Sequence, residues 1–287
     1  MRKLSLILTL MAAALSCATA QVTVEVTLDQ DQFLPAESIW TAVRITNRSG
    51  QSLRLGDSAD WLAISVEARD SFIVAKNDDL PVVGGFTLDN SKVATKRLNL
   101  SPYFNLTKPG RYSIIATVRI KDWDKEFTSK PKSFDIINGI KLWEQEFGVP
   151  QSAGSPEVRQ YALQQAIYLK QLKLYLRLTD ASDTKVFRVF ALGPMVSLSH
   201  PEPQVDKASK LHVLFQTGAR SFLYCVVNPE GDVIRRQTYD YLGSRPRLAM
   251  DSDGNVTVTG GVRRVNAADI PPPISSTATN EAKTPSP

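Results

Sequence analysis

Residues 155–178 read SPEVRQYALQQAIYLKQLKLYLRL, and this stretch decides how the chain is divided. Its opening has the signals of a helix start. Ser155 suits the N-cap, Pro156 the first helical position, and Glu157 complements the positive helix end. Apolar residues then recur at helical spacing and cover a wide arc, which favours burial on more than one side. The pattern therefore predicts a helix over 155–170.

At Gln171 the period changes. Four leucines alternate with polar residues over 172–179, as in a β-strand with one face in water. A continuous helix over 155–179 is the alternative, but it would scatter those leucines around the helix. The sequence therefore predicts a connector, residues 138–170, between two β-rich halves.

The first half, residues 21–137, consists of short alternating segments separated by turn residues. The segments at 39–46, 61–68 and 112–120 each carry apolar side chains on at least one face. Strands this frequent, with no helix between them, favour an antiparallel sandwich over a parallel sheet.

Three fragments of this half resemble bacterial immunoglobulin-like domains: FLPAE at 33–37, VRITNRSG at 43–50 and LTKPGRY at 106–112. The plan is also similar to that of the bacterial proteinase-inhibitor domain. The resemblance implies an Ig-like β-sandwich in which the Tyr112 hydroxyl bonds back to nearby backbone. It departs at Ala36, where glycine is usual. It implies a fold and transfers no site.

The second half, residues 171–265, also alternates. The run from 211 to 261 resembles one blade and the start of another in a β-propeller, but is too short to close one. We expect an antiparallel β domain packed on the connector helix. Residues 266–287 are rich in Pro, Ser and Thr, which predicts a disordered tail.

The N-terminus has the pattern of an export signal. Basic residues precede a short apolar run, and an Ala-x-Ala site ends at Ala20, so residues 1–20 are predicted to be a signal peptide that leaves Gln21 first. A lipoprotein acylated at Cys17 is the alternative. No later segment reaches ~20 apolar residues, so no membrane span is expected in the mature chain. The protein is expected to be exported, to the periplasm or the extracellular space.

Composition excludes some classes of function. The formal net charge is +5, and no long basic run accompanies it, so nucleic acid is not an expected partner. Cleavage after Ala20 leaves Cys225 as the sole cysteine, which excludes a disulfide framework. Cys225 lies in a strand-like run, where burial is the simpler interpretation.

Candidate chemistry is sparse. Two acidic pairs beside tryptophans have the residue types of a glycosidase site, although working pairs come from different strands. The spacing of Asp251, Asp253 and Asn255 begins a calcium loop that lacks its later glutamate, so a turn is the simpler interpretation. The acidic pairs are Glu144 and Glu146 beside Trp143, and Asp122 and Asp124 beside Trp123.

The two histidines, His200 and His212, belong to no catalytic or zinc motif. No catalytic, cofactor-binding or metal-binding residue is therefore assigned, and no cofactor is expected. The leading hypothesis is an exported, non-enzymatic binding or scaffolding protein with an unknown protein or polysaccharide ligand. A protease inhibitor and a carbohydrate-active enzyme, or its accessory module, are the alternatives.

Overall fold

A computed structural model describes residues 22–68, 73–149 and 157–270 of the chain. The chain divides into two compact units, Met1–Asn138 (unit 1) and Gly139–Pro287 (unit 2). The described residues form several mostly antiparallel sheets and contain no α-helix. The prediction of a mainly β protein is confirmed.

Unit 1 contains a three-stranded sheet in the order β1-β3-β7 and a larger sheet in the order β2-β10-β8-β5, to which β9 is added beside β8. A short ribbon joins β4 and β6. All pairs are antiparallel except β2 with β10. The strands are β1 Val22–Leu28, β2 Gln32–Phe33, β3 Trp40–Asn47, β4 Leu53–Leu55, β5 Leu62–Ala68, β6 Phe86–Leu88, β7 Val93–Asn99, β8 Gly110–Ile120, β9 Lys125–Thr128 and β10 Lys132–Ile136.

A single apolar core fills unit 1, with residues from both larger sheets. Alternation places the inward side chains there; in β8, for example, Ile114, Ala116 and Val118 are all buried. The Tyr112 hydroxyl donates a hydrogen bond to the Lys108 carbonyl at 2.7 Å. This is the bond to nearby backbone that the LTKPGRY fragment predicts.

Unit 2 contains a four-stranded antiparallel sheet, β11-β12-β13-β14, and a second sheet, β15-β16-β17-β18-β21. One core lies between them, since buried residues of both sheets belong to the same cluster. A hairpin of β19 and β20 packs on the other face of the second sheet. The strands are β11 Ile140–Val149, β12 Glu157–Tyr168, β13 Gln171–Asp180, β14 Val186–Pro194, β15 Glu202–Val205, β16 Leu211–Gln216, β17 Ser221–Val227, β18 Val233–Asp240, β19 Arg247–Met250, β20 Val256–Thr259 and β21 Val262–Arg264.

The predicted helix over 155–170 is wrong. Residues 157–168 are strand β12, which pairs with β11 on one side and β13 on the other; Ser155 and Pro156 lie outside the described residues. Tyr161 and Leu163 face the core, while Ala162 and Ala166 are buried on the opposite face. A central strand covered on both faces carries apolar residues at odd and even positions, and a short stretch of that kind imitates helical spacing.

The change of period at Gln171 marks a hairpin. Tyr168 pairs with Gln171 across a two-residue turn whose central residues, Leu169 and Lys170, have φ of 45° and 70°. Positive φ at both central positions is typical of a type I′ turn. The second sheet therefore packs on the β11–β14 sheet, where we expected it to pack on a helix.

The predicted signal peptide, including Cys17, lies outside the described residues. Of the predicted tail, residues 266–270 are described, and Ile270 exchanges backbone hydrogen bonds of 3.2 and 3.1 Å with Arg236. The rest of the tail lies outside the described residues.

Candidate functional site

A groove of about 720 Å³ runs along β1 in unit 1. Among the described strands, β1 pairs with β3 alone, so its other edge is open. The facing wall comes from β9 and the segment that leads into β10. We call this space the lateral groove. It is lined by residues 22–27 on one side and by Phe127, Thr128, Lys130, Pro131 and Lys132 on the other.

The hydrogen-bond register shows which backbone groups of β1 face the groove. The N–H of Asn47 donates to the Lys92 carbonyl at 3.0 Å, on the β7 side of β3. Asn47 is the partner of Val22, so these two residues form a non-hydrogen-bonded pair. Because backbone direction alternates along a strand, Val22, Val24 and Val26 turn their N–H and C=O groups away from β3, toward the groove.

The side chains around the groove are partly apolar. Val22, Val24 and Val26 are buried in the core of unit 1, and Phe127 packs against that core while partly exposed. A strand added beside β1 would therefore meet the main-chain N–H and C=O groups that point into the groove, together with an apolar base formed by these side chains.

The charges around the groove are mostly balanced. Glu25 lies 4.0 Å from Arg44, and Lys132 lies 2.8 Å from Asp31. Lys130 is exposed, and no acidic residue in the described part of the chain pairs with it. The groove therefore presents one uncompensated positive charge.

Unit 2 contains a row of three hydrogen-bonded polar side chains, Asp206, His212 and Tyr224, that the sequence did not reveal. His212 is 5% exposed; its Nε2 lies 3.1 Å from Asp206 Oδ2, and its Nδ1 lies 2.6 Å from the Tyr224 hydroxyl. Since a carboxylate only accepts, the neutral ring donates from Nε2 and accepts from Tyr224 at Nδ1. The other Asp206 oxygen accepts from the backbone N–H groups of Ala208 and Lys210.

Burial controls the protonation of His212 and Tyr224 in this row. It lowers the pKa of His212; Asp206 opposes that shift, while Arg235 and Lys210 add to it. Burial also raises the pKa of Tyr224 to about 12. Both ring nitrogens of the imidazole are occupied within the protein, so the arrangement serves structure and leaves neither nitrogen for a substrate.

The first acidic pair, Glu144 and Glu146, lies on β11, with both side chains exposed. Glu144 forms an ion pair of 2.7 Å with Lys141. Trp143 is partly buried and packs against the core of unit 2.

The second pair, Asp122 and Asp124, lies in unit 1 at the end of the β8–β9 hairpin. Asp124 pairs with Arg119 at 3.3 Å, and Trp123 packs edge-on against Phe127. The two acidic pairs belong to different units. Asp124 shares Arg119 with Asp60, so the carboxylates at this end of unit 1 are compensated by a cation.

Asp251, Asp253 and Asn255 form the turn between β19 and β20. One Asp251 oxygen accepts from the backbone N–H groups of Asp253 and Asn255, and the other accepts from the Asn255 side chain at 3.0 Å. These bonds lower the pKa of Asp251, the Asn255 side chain contributing most. The loop thus uses its own carboxylate to close the turn.

Cys225 is fully buried, and burial raises the pKa of its thiol to about 11. A thiol held in the protonated form is a poor nucleophile. Across residues 22–68, 73–149 and 157–270, no group of three or more His, Cys, Asp or Glu side chains is arranged to hold a metal.

The sequence predicted short alternating strands over 21–137 but did not show which of them lies at a sheet edge. No local signal could have shown it, because the edge position of β1 depends on the order in which distant strands pair. Within the described ranges, the structure contains no helix with the length and apolar character needed to cross a membrane.

No family model matches the chain, and no curated protein matches it. Among solved structures, the chain is similar to the crystal structure of Spo0M, sporulation control protein, from Bacillus subtilis. The identity is 9%, the alignment covers 60% of this chain and 91% of that chain, and the TM-score is 0.32. A similarity at this level supports no conclusion about fold or function.

Proposed function

We propose that this protein is a non-enzymatic binding protein that holds an extended segment of another polypeptide in the lateral groove. The observation that carries the proposal is the open edge of β1 beside a groove of about 720 Å³. Exposed sheet edges pair readily with a further strand unless they are covered or blocked.

The expected complex is an added β-strand. The outward N–H and C=O groups of Val22, Val24 and Val26 supply main-chain hydrogen bonds, which are independent of the ligand's side chains. Specificity then comes from alternate side chains that meet the apolar base beside Phe127, and from an acidic residue that reaches Lys130. The favoured ligand is therefore a segment with alternating β-branched residues and one carboxylate.

Two further features support an exported binding module. The predicted leader, residues 1–20, supports a location outside the cytoplasm. The shared core of the two unit 1 sheets and the bond from Tyr112 to Lys108 support an Ig-like plan for unit 1, as the sequence fragments imply.

The test is fluorescence anisotropy with a fluorescein-labelled peptide, Thr-Val-Asp-Val-Thr-Val, and the chain that begins at Gln21. We expect saturable binding that is abolished by N-methyl groups on the residues of one peptide edge. The same number of N-methyl groups on the other edge should leave binding intact, because only one edge pairs with β1. This control leaves the protein unchanged.

A charge reversal at Lys130 tests the proposed ion pair between the groove and an acidic residue of the ligand. Lys130→Glu should weaken binding of the acidic peptide roughly fivefold, as expected for loss of one exposed ion pair. Lys92→Glu, an exposed lysine before β7 on the opposite edge of the sheet, is the matched control. Equal binding of all N-methylated peptides, or no binding by any peptide, would contradict the proposal.

A further inference from the structure

Two exposed leucines of unit 2 occupy turn positions that disfavour leucine. Leu169 has a φ of 45° and is 62% exposed, and Leu198 has a φ of 65° and is 97% exposed. Left-handed backbone favours glycine and asparagine, and it is costly for other side chains. Neither leucine gains burial in return. An unfavourable backbone conformation without a gain in burial is expected at functional positions.

The two leucines lie at the same end of the first sheet of unit 2. Leu169 is in the tight turn between β12 and β13. The Met195 N–H donates to the Leu172 carbonyl at 2.8 Å, so the chain that leaves β14 lies beside the start of β13. Leu198 lies three residues after Met195, in a turn that is closed by a hydrogen bond to the Val196 carbonyl.

The second sheet contributes to the same end. The Val196 N–H donates to the carbonyl of Gln216, the last residue of β16, at 2.9 Å. The Tyr241 N–H donates to the Arg220 carbonyl at 2.7 Å, just before β17. Tyr241 and Leu242 are therefore at this end as well, and they are 43% and 57% exposed.

These side chains form one exposed apolar surface carried on turns. Ile167, at the tip of the β12–β13 hairpin, is 65% exposed and belongs to it. The other four lie on three separate turns. We call this surface the apex: Ile167, Leu169, Leu198, Tyr241 and Leu242.

The charge around the apex is positive. Lys170 and Arg220 are exposed, and neither is paired with an acidic residue in the described part of the chain. Lys173 adds a third cation near the hairpin. The nearby acid Asp240 is compensated by Arg264 at 3.3 Å.

We infer that the apex docks on the surface of an anionic lipid bilayer. Aliphatic side chains on turn tips enter the boundary between headgroups and acyl chains, and tyrosine favours the same depth. Lysine and arginine around them interact with anionic headgroups. Separate apolar tips with cations between them match this layered environment better than they match the flat apolar centre of a protein interface.

The test is sedimentation with two vesicle types: phosphatidylcholine alone, and phosphatidylcholine with about 30% phosphatidylglycerol, which supplies the anionic surface. The full chain and the chain without residues 1–20 are both used, to separate the apex from the leader. We expect both forms to bind the anionic vesicles. Raising the salt from about 0.1 M to about 0.5 M should weaken binding several-fold, because salt screens the headgroups.

The decisive variant is Leu169→Asn with Leu198→Asn. Asparagine tolerates positive φ better than leucine, so the melting temperature should stay equal or rise. Vesicle binding should fall roughly tenfold for each leucine removed, because an apolar side chain no longer leaves water. The matched control is Met250→Asn, a half-exposed residue beside the β19–β20 turn. That turn contacts Lys207, at the opposite end of β16, and binding should be unchanged.

The outcomes separate the alternatives. Loss of binding in the double variant, with its fold retained, supports the inference. Binding that is equal for both vesicle types, or equal in the double variant, overturns it. Self-association or binding to another protein that depends on the two leucines, without vesicle binding, also overturns it, since the apex would then be a protein interface.

Discussion

Replacing Tyr161 by phenylalanine should destabilise unit 2 while leaving its fold intact. Tyr161 is fully buried on β12, and its ring stacks on Phe147 with centroids 4.1 Å apart. Its hydroxyl lies 3.1 Å from the Ser209 carbonyl and 2.9 Å from the Asn228 carbonyl. The side chain therefore ties the first sheet of unit 2 to two turns of the second.

The magnitude follows from what each substitution removes. Phenylalanine keeps the ring and the stack but leaves two partly buried carbonyls without this donor, which should lower the free energy of unfolding by about 1 kcal/mol. Tyr161→Ala also leaves a cavity and should cost about 3–5 kcal/mol. Burial raises the pKa of Tyr161, so ionisation does not complicate measurements near neutral pH.

The assay is urea unfolding followed by circular dichroism, with Tyr168→Phe as the matched control. Tyr168 is partly buried on the same strand, and its ring lies under the Lys173 ammonium at 3.7 Å. Within the described residues its hydroxyl makes no bond comparable to those of Tyr161, so the control should change stability by less than about 0.5 kcal/mol.

The comparison also tests the strand itself. Seven residues apart, Tyr161 and Tyr168 would share one face of a helix but lie on opposite faces of a strand. Equal effects of the two substitutions, or no effect of Tyr161→Phe, would refute the reasoning.

Three further predictions concern single polar groups. Thr41 is fully buried and its hydroxyl has no hydrogen-bond partner among the described residues, so Thr41→Val should raise the free energy of unfolding by about 1 kcal/mol in urea titrations. Tyr112→Phe removes the bond to Lys108 and should lower the melting temperature, at a cost of about 1 kcal/mol. The pKa of His212 is lowered by burial, so as the pH falls the unfolded chain binds a proton at this residue before the folded chain does. Stability from this residue is present above the ordinary histidine pKa and is lost as the pH falls below it. His212→Gln should flatten the stability profile between about pH 7 and pH 5, whereas His200→Gln, an exposed control, should not.

Most strands followed from local pattern. The alternation of leucines over 172–179 predicted β13, and the apolar alternation over 112–120 predicted a strand that is part of β8; both are present. These elements were readable because one face of each is apolar and the other polar, or because a turn of proline and glycine bounds them.

β12 was misread for the opposite reason. Its pairing partners, β11 and β13, are its neighbours in the chain, but β12 has buried residues on both faces, so its apolar residues are not confined to alternate positions. Without that alternation, Ser155, Pro156 and Glu157 outweighed the strand, because helix-start signals are local and burial of a second face is not.

The candidate sites show the same division. The sequence contains the pairs Glu144/Glu146 and Asp122/Asp124 in different predicted segments, but only the structure shows that Glu144 pairs with Lys141 and Asp124 with Arg119. No sequence pattern predicted that His212 hydrogen-bonds both Asp206 and Tyr224 and so joins a turn to two strands.

The residues alone predicted a mainly β chain with two β-rich halves, 21–137 and 171–265, and they contain no local catalytic motif. Tertiary structure alone decided which strand is left at an edge, which turns meet at one end of unit 2, and which polar groups are sealed inside. The physical reason is that periodicity records the faces of each element. Pairing order and turn clustering depend on contacts between residues far apart in the chain.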